Sequence, residues 1–552
     1  MVLALTRWFA GLSRRKPIRR APRGNWTVTR LEDRAVPAAN IAFAVSGQVA
    51  GAPPQVHVYN TSGAQVAVLR EALLEAVYFD TAYLRLARNG GITLRYRRDR
   101  SPGSTDEGTW TLKLPEDATG TGDRALIRQE LSWPGSPDDV PPQAAALVRA
   151  ITRRAPLQPV ARLTTQRRRL ELRDRERRPL AEIDDDLVSI AEPVQARFRQ
   201  IEVEWTGEAK PKLRKAVLER LGRDGATPGP ATPKVFRALG LAEGATADVE
   251  IPELDRHSTM RDVVAASNAG ATKTMIERDP GVRLGGDIEH VHKARVATRR
   301  LRSDLRTFRP LLDAGWERQM CNDLRLPANA LGEVRDADVL MAELRAQIAS
   351  LEGPDAAAAA RLLVQLGSER EQANARLLEV LDGEPYTLLL DRLVAAAANP
   401  PMADPAAGSL PASRTLPGLV ARPWKRLRRW VAGLGKEPAD EALHEVRKRA
   451  KQLRYASEAA APVRGRPAVE LAGAAENLQE VLGEFHDAVV SASWLREHAG
   501  TEGVSTALVA GRLVEREERR RAEKRSAWPE AWKRLKTKKR RRWLKVAPKA
   551  AA

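Results

Sequence analysis

The stretch from His292 to Arg306, HKARVATRRLRSDLR, decides how the second half of the chain is read. A helix returns to one face every three or four residues. His292, Arg295, Arg299, Arg302 and Arg306 therefore form one basic stripe about four turns long. Val296, Leu301 and Leu305, with Phe308 beyond, supply an apolar stripe for docking on other helices. For a single helix, a solvated face whose Arg stems cover apolar surface would be explanation enough.

The stripe occurs twice. Residues 443–455 read LHEVRKRAKQLRY, and His444, Arg447, Lys451 and Arg454 match His292, Arg295, Arg299 and Arg302 at an offset of 152. Each copy is followed by a second matching piece: LGEVRDADVL from Leu331, and LGEFHDAVV from Leu482, offset by 151. A solvated face has no reason to keep this spacing in both copies, so the pattern predicts a duplicated helical unit. Two such stripes facing each other would make a basic groove or channel.

At these residues the sequence resembles the CHAD family, the conserved-histidine α-helical domain, over roughly Glu253 to Lys545. The resemblance implies an all-helical, pseudo-twofold domain that binds inorganic polyphosphate. Its channel would be lined by His292, Lys293, Arg295, Arg299, Arg302, Arg306, His444, Arg447, Lys448, Lys451 and Arg454. Polyphosphate offers no bases to read, so it needs closely spaced cations and little else. His292 and His444 head the stripes and are expected to contact phosphate, with His486 and Arg335 as secondary candidates. Asp336 and Asp487 are expected to orient basic side chains or cap helices rather than to catalyse.

Composition agrees with an anionic partner. The 552 residues carry 92 Lys and Arg against 71 Asp and Glu, a formal charge of +21. That excess points to nucleic acid, polyphosphate or an anionic surface. Aromatic residues make up 5%, which argues against single-stranded nucleic acid, where stacking supplies much of the binding. The single cysteine, Cys321, excludes an internal disulfide framework and a Cys-rich metal site.

Before the helical half the texture changes. Ile92, Leu94 and Tyr96 alternate with Thr93, Arg95 and Arg97, and Trp110, Leu112 and Leu114 with Thr111 and Lys113. ALIRQELSW, PVARLTTQRRRLEL, LAEIDDDLVSI and FRQIEVEW read as further strands, with a helix from Ala144 to Thr152 between them. Antiparallel strands joined in this way suggest a barrel or tunnel. Arg95, Arg97, Lys113, Arg128 and Arg162 alternate with apolar positions along these strands, as do Glu130, Glu182, Asp184, Glu202 and Glu204. On an open sheet these would be solvated; inside a barrel they would present cations to phosphates and oxygen ligands to a hard metal ion.

This region resembles the CYTH family, the triphosphate tunnel metalloenzymes, from Tyr78 to Leu239. The carrying segments are YFDTAYLRLARNGGITLRYRR, WTLKLP, PVARL, LAEIDDD, IEVE and TPKVFRAL. The resemblance implies a β tunnel hydrolysing triphosphate-type substrates with Mg²⁺ or Mn²⁺. Triphosphate would be held by Arg95, Arg97, Lys113, Arg128, Arg162 and Lys234. The catalytic carboxylates would be Glu130, Glu182, Asp184, Glu202 and Glu204, with Glu130, Glu202 and Glu204 on the metal. One departure matters. The family opens on a Glu-x-Glu-x-Lys strand, and before Tyr78 this chain has only Glu32, Glu71 and Glu75, none in that pattern. Hard-cation affinity rises with ligand charge, so hydrolysis is expected to be weak or absent.

The expected fold is α+β and multidomain: an antiparallel β tunnel followed by an internally duplicated all-α bundle. The expected boundaries are an atypical or disordered leader (1–66), the tunnel (67–240), a linker (241–255) and the helical domain (256–545). The expected function is polyphosphate binding beside a weakened or inactive triphosphatase. The alternatives are an active metal-dependent triphosphatase fed by the helical domain, and a non-specific nucleic-acid binder. No transmembrane segment is expected, and the expected location is the cytoplasm, with polyphosphate granules as an associated site.

Overall fold

The computed structural model describes residues 41–45, 65–104, 107–115, 128–174, 176–193, 195–206, 209–228, 233–241, 248–500 and 503–545. The chain divides into two compact units, Met1–Asp248 and Val249–Ala552.

The N-terminal unit is built on β1 (Ile41–Val45), β2 (Gln65–Asp80), β3 (Thr93–Asp99), β4 (Gly108–Pro115), β5 (Arg128–Gly135), β6 (Gln158–Arg173), β7 (Pro179–Glu192), β8 (Ala196–Trp205) and β9 (Thr227–Pro228). These pair antiparallel in one sheet of order β5-β4-β3-β2-β6-β7-β8-β1-β9. Three short helices, α1 (Arg85–Arg88), α2 (Pro142–Leu147) and α3 (Arg149–Thr152), lie between strands. One expectation is corrected here: Ile41–Val45, read as leader, forms β1, hydrogen-bonded between β8 and β9. Most of the rest of residues 1–66 lies outside the described residues.

Alternation sorts each strand into two faces. On one face Leu170, Leu172, Ile183, Ile201, Val203 and Trp205 pack beneath α4 (Pro211–Arg223) through Val217 and Leu221. Further along this face Phe79 and Tyr96 meet Trp110, with ring centroids 4.8 and 5.5 Å away. The Tyr96 ring lies directly over Gly108, where any side chain would collide with it. The other face carries the charged residues. One end of it is filled by Tyr78, Ala161, Leu163, Val188 and Ile190 packed on Val235 and Phe236 of α5 (Lys234–Ala238). The first face removes apolar area from water; the second is free to hold a site.

The C-terminal unit is helical: α6 (Met260–Leu284), α7 (Ile288–Phe308), α8 (Ala314–Asp323), α9 (Arg325–Ile348), α10 (Gly353–Asp382), α11 (Glu384–Ala398), α12 (Pro405–Ser409), α13 (Ala412–Ala432), α14 (Asp440–Arg464), α15 (Arg466–His498), α16 (Val504–Leu535) and α17 (Lys538–Arg541). Caps set the boundaries. Thr259 and Asp262 form a capping box at the start of α6, Gly285 ends it at φ 67°, and Asp287 accepts from the Glu289 N–H to start α7. Leu301, Leu305 and Phe308 are buried against neighbouring helices, whereas Val296 is 36% exposed and does not join that stripe. The stretch 399–416, rich in Pro, Ala and Gly, contains α12 and the first turn of α13. The basic run 533–545 closes the unit against α13. Trp543 and Leu544 are buried, and the Arg541 guanidinium lies over the Trp424 ring. Among the described residues no helix is long and apolar enough to cross a membrane.

Candidate functional sites

In the N-terminal unit the charged face is concave. Lys113 on β4 interacts electrostatically with Glu202 on β8, although β3, β2, β6 and β7 separate those strands in the sheet. The acidic half comes from Glu182, Asp184 and Asp186 on β7 and Glu202 and Glu204 on β8, with Asp184 opposite Glu202 and Glu182 opposite Glu204.

Cations are woven through this half. Arg167 donates from Nε and Nη2 to the two Asp186 oxygens at 2.8 and 2.7 Å, and also contacts Asp184. Arg169 donates to both Asp184 oxygens at 2.7 and 2.9 Å and lies 2.7 Å from Glu182. Lys234, delivered at the first position of α5, contacts Asp186 and stands 3.4 Å from Glu202. Burial raises the Asp186 carboxyl, but Lys234 and Arg167 outweigh it and hold the group at about 2. Glu204 behaves oppositely. Burial in the concavity, then Glu182, Asp184 and Glu202, push it up to about 7.

The basic half comes from β3 and β4. Arg95 lowers its neighbour Arg97 to about 9, helped by burial and Arg167. The buried Nε of Arg95 has no hydrogen-bond partner among the described residues. Lys113 contacts Glu130. Arg162 does not join this cluster: it pairs with Glu192 at 3.2 Å and is half exposed. Arg128 begins β5, opposite Pro115.

Among the described residues no three His, Cys, Asp or Glu side chains are arranged to hold a metal ion. The expected trio is not gathered: Glu130 is engaged by Lys113 and Glu202 by Lys234, which leaves Glu204 with no ion-pair partner among the described residues. In register, Ala42 and Ala44 of β1 stand opposite Glu202 and Gln200, so the strand beside β8 adds no carboxylate there. As they stand, these residues do not fit a divalent cation.

In the C-terminal unit, α7 and α14 bring their middle cations together. Arg299 is lowered by burial and then by Arg295 and Arg447. Arg447 is lowered by burial and by Arg295, while Asp487 and Asp336 oppose the shift. Lys451 falls to about 6 through burial and then through Arg299, Arg447 and Arg295. Two carboxylates face these four cations: Asp336 pairs with Arg295 at 2.9 Å, and Asp487 lies within the field of Arg447. The Leu-Gly-Glu pieces have a physical role. The Arg295 guanidinium lies 3.9 Å from where a Gly332 Cβ would stand, and the Arg447 guanidinium 3.7 Å from that of Gly483, so each arginine packs over its own glycine at van der Waals distance.

The histidines flank this centre. His292 is lowered by burial and Arg335. His444 packs on His486 with ring centroids 4.2 Å apart. Burial, Arg447 and then His444 take His486 down to about 4. The buried His444 Nδ1 and Arg447 Nε have no hydrogen-bond partners among the described residues.

The stripe ends lie elsewhere. Arg302 interacts with Arg306, Cys321 and Arg325, and Arg306 is exposed. Arg454 is spent on Glu458 at 2.7 Å and Glu476 at 2.8 Å, and exposed Lys448 pairs with Glu445 at 2.8 Å. Lys293, together with His292, lines a largely apolar cavity of about 480 Å³.

Sequence reasoning missed Arg167, Arg169 and Asp186, the centre of the N-terminal network. The signal was present: QRRRLEL and IDDDL carry three like charges in a row, and alternation puts the outer two of each run on one face.

A CYTH domain model matches residues 53–227 and a CHAD domain model matches 267–496. The chain is 32% identical over 453 residues to the uncharacterized protein MT2285 of Mycobacterium tuberculosis (strain CDC 1551 / Oshkosh), covering 77% of this chain and 81% of that one. It is 31% identical over 453 residues, with the same coverage, to the uncharacterized protein Rv2226 of Mycobacterium tuberculosis (strain ATCC 25618 / H37Rv). Among solved structures, PptA from Streptomyces chartreusis aligns with TM-score 0.42 and 23% identity, covering 50% of this chain and 100% of that one. The CHAD domain from the plant Ricinus communis aligns with TM-score 0.43 and 22% identity, covering 51% and 94%.

Proposed function

Because the chain belongs to the family in which a CYTH domain precedes a CHAD domain, we propose that it binds inorganic polyphosphate through its helical unit. In this reading the N-terminal unit holds triphosphate-type anions and is weak or inactive as a hydrolase. The observation that carries it is the central cluster of Arg295, Arg299, Arg447 and Lys451, where burial and then the repulsion of the three arginines take Lys451 to about 6. Such a cluster is unfavourable alone and relieved by a polyanion, whose closely spaced phosphates match closely spaced cations.

The weakened hydrolase follows from the acidic half. CYTH domains generally depend on a divalent metal. Here the carboxylates are engaged by Arg167, Arg169, Lys234 and Lys113, and β1 contributes no acid opposite Glu202. His292, His444 and His486 border the cluster and are phosphate contacts that gain a proton when the polyanion binds.

The test uses one preparation. Long-chain polyphosphate is competed against duplex DNA, and phosphate release from tripolyphosphate is followed with Mg²⁺ or Mn²⁺. The reading expects polyphosphate to displace DNA and turnover to stay far below ordinary enzymatic rates, which are about 1–1000 per second. Equal or tighter DNA binding contradicts the first half; ordinary turnover contradicts the second.

A further inference from the structure

We infer that the concave face of the N-terminal unit takes its anion without a divalent cation, Arg167, Arg169 and Lys234 neutralising the acids that a metal ion would bridge. The inference rests on the reading of this face as a site for triphosphate-type anions, and it concerns what accompanies the anion there.

A hard cation needs several carboxylate oxygens open toward one point. Here both Asp186 oxygens accept from Arg167, and Lys234 closes on the same carboxylate. Both Asp184 oxygens accept from Arg169, whose Nε also lies 2.7 Å from Glu182 Oε1 as a counter-charge without a hydrogen bond to it. Glu202 stands 3.4 Å from Lys234 and 4.0 Å from Arg167. Forked guanidinium pairs occupy the lone pairs that a metal would use and fix them in a plane that suits no octahedral ion. The Asp186 side chain is 0% exposed and that of Lys234 only 13%, so swinging away would strand charge out of water.

The anion-facing groups are different ones. Arg95 and Arg97 stand side by side on β3, whereas Lys113, on the adjacent strand opposite Thr93, is held by Glu130 and belongs with the cations that close the acids. The orphaned Arg95 Nε marks a donor still to be used, and the repulsion within the pair is what a phosphate would relieve. The cations therefore divide into two sets, one closing the acids and the other meeting the substrate.

The experiment uses the full chain carrying Arg295→Glu and Arg447→Glu, which removes the helical cluster as a competing anion site. Tripolyphosphate is titrated calorimetrically in EDTA and again with Mg²⁺ or Mn²⁺. The inference expects the two affinities to agree within about threefold, and Mn²⁺ alone to leave its free electron-paramagnetic-resonance signal undiminished. Binding that appears only with metal overturns the inference while leaving the anion site standing. Absence of binding in both conditions overturns the anion site itself. Capture of Mn²⁺ alone by the unsubstituted chain also overturns it. Adding Arg167→Gln with Lys234→Met frees the carboxylates, and a variant that keeps its circular dichroism should gain Mn²⁺ binding of at least about tenfold. A folded variant with no gain counts against the closure of the acids by these side chains.

Discussion

The two units both gather basic side chains, and they balance them in opposite ways. On the concave face of the sheet, Arg167, Arg169 and Lys234 are interleaved with Glu182, Asp184, Asp186 and Glu202, and Asp186 is held at about 2. Between α7 and α14, the carboxylates set against four cations among the described residues are Asp336 and Asp487, and Lys451 is driven to about 6. The same residue types therefore yield a closed, self-neutralised network in one unit and an electrostatically frustrated cluster in the other. The first contributes to its own stability; the second stores unfavourable energy that an anionic ligand can release.

The comparison breaks most readily on the balanced side. Asp186→Ala takes from Arg167 and Lys234 the carboxylate they share, which is 0% exposed, and leaves them Asp184 and Glu202 as counter-charges. The expected loss is about 3–5 kcal/mol, read from denaturant unfolding of the full chain. The acid limb gives a second check. The folded group sits at about 2, below its unfolded value, so its contribution is present above about pH 4 and disappears as pH falls toward 2. A balanced network that contributed nothing would show neither effect.

On the frustrated side the signs reverse. Free Lys451, at about 6, is largely neutral at pH 7, and a bound polyanion restores its charge. Binding should take up close to one proton near pH 7, with affinity falling up to about fiftyfold between pH 6 and pH 8. His292 and His444, both lowered, and His486, at about 4, add to the uptake in the same direction. Calorimetry in buffers of different ionisation heat measures it, and Lys451→Met should shrink it. A smaller effect sharpens the contrast further. Asp336→Asn removes an exposed counter-charge from Arg295, and polyphosphate affinity should rise about threefold.

Much of the architecture was legible because alternation and helical spacing are local. Ile92, Leu94, Tyr96, Trp110, Leu112 and Leu114 announced their buried face, and each is at most 4% exposed. The middle positions of the helical stripes, Arg295, Arg299, Arg447 and Lys451, do meet. What spacing could not supply is which part of a four-turn stripe faces the partner helix. Arg302 and Arg306 lie with Cys321 and Arg325, and Arg454 is held by Glu458 and Glu476. Runs of like charge hid the rest. In IDDDL, Asp184 and Asp186 face Arg169 and Arg167, while Asp185 turns to Arg199 at 2.7 Å on the opposite face. β1 was illegible for a different reason: IAFAV is five residues long and pairs with β8, about 160 positions downstream, which no local pattern can announce.

The most direct measurement is long-chain polyphosphate binding by Arg295→Glu with Arg447→Glu, compared with the unsubstituted chain at fixed salt. The account predicts a loss of at least about a hundredfold in affinity, with circular dichroism and the unfolding midpoint unchanged. Unchanged affinity in a folded variant would mean that the cations between α7 and α14 are not where the polyanion lies.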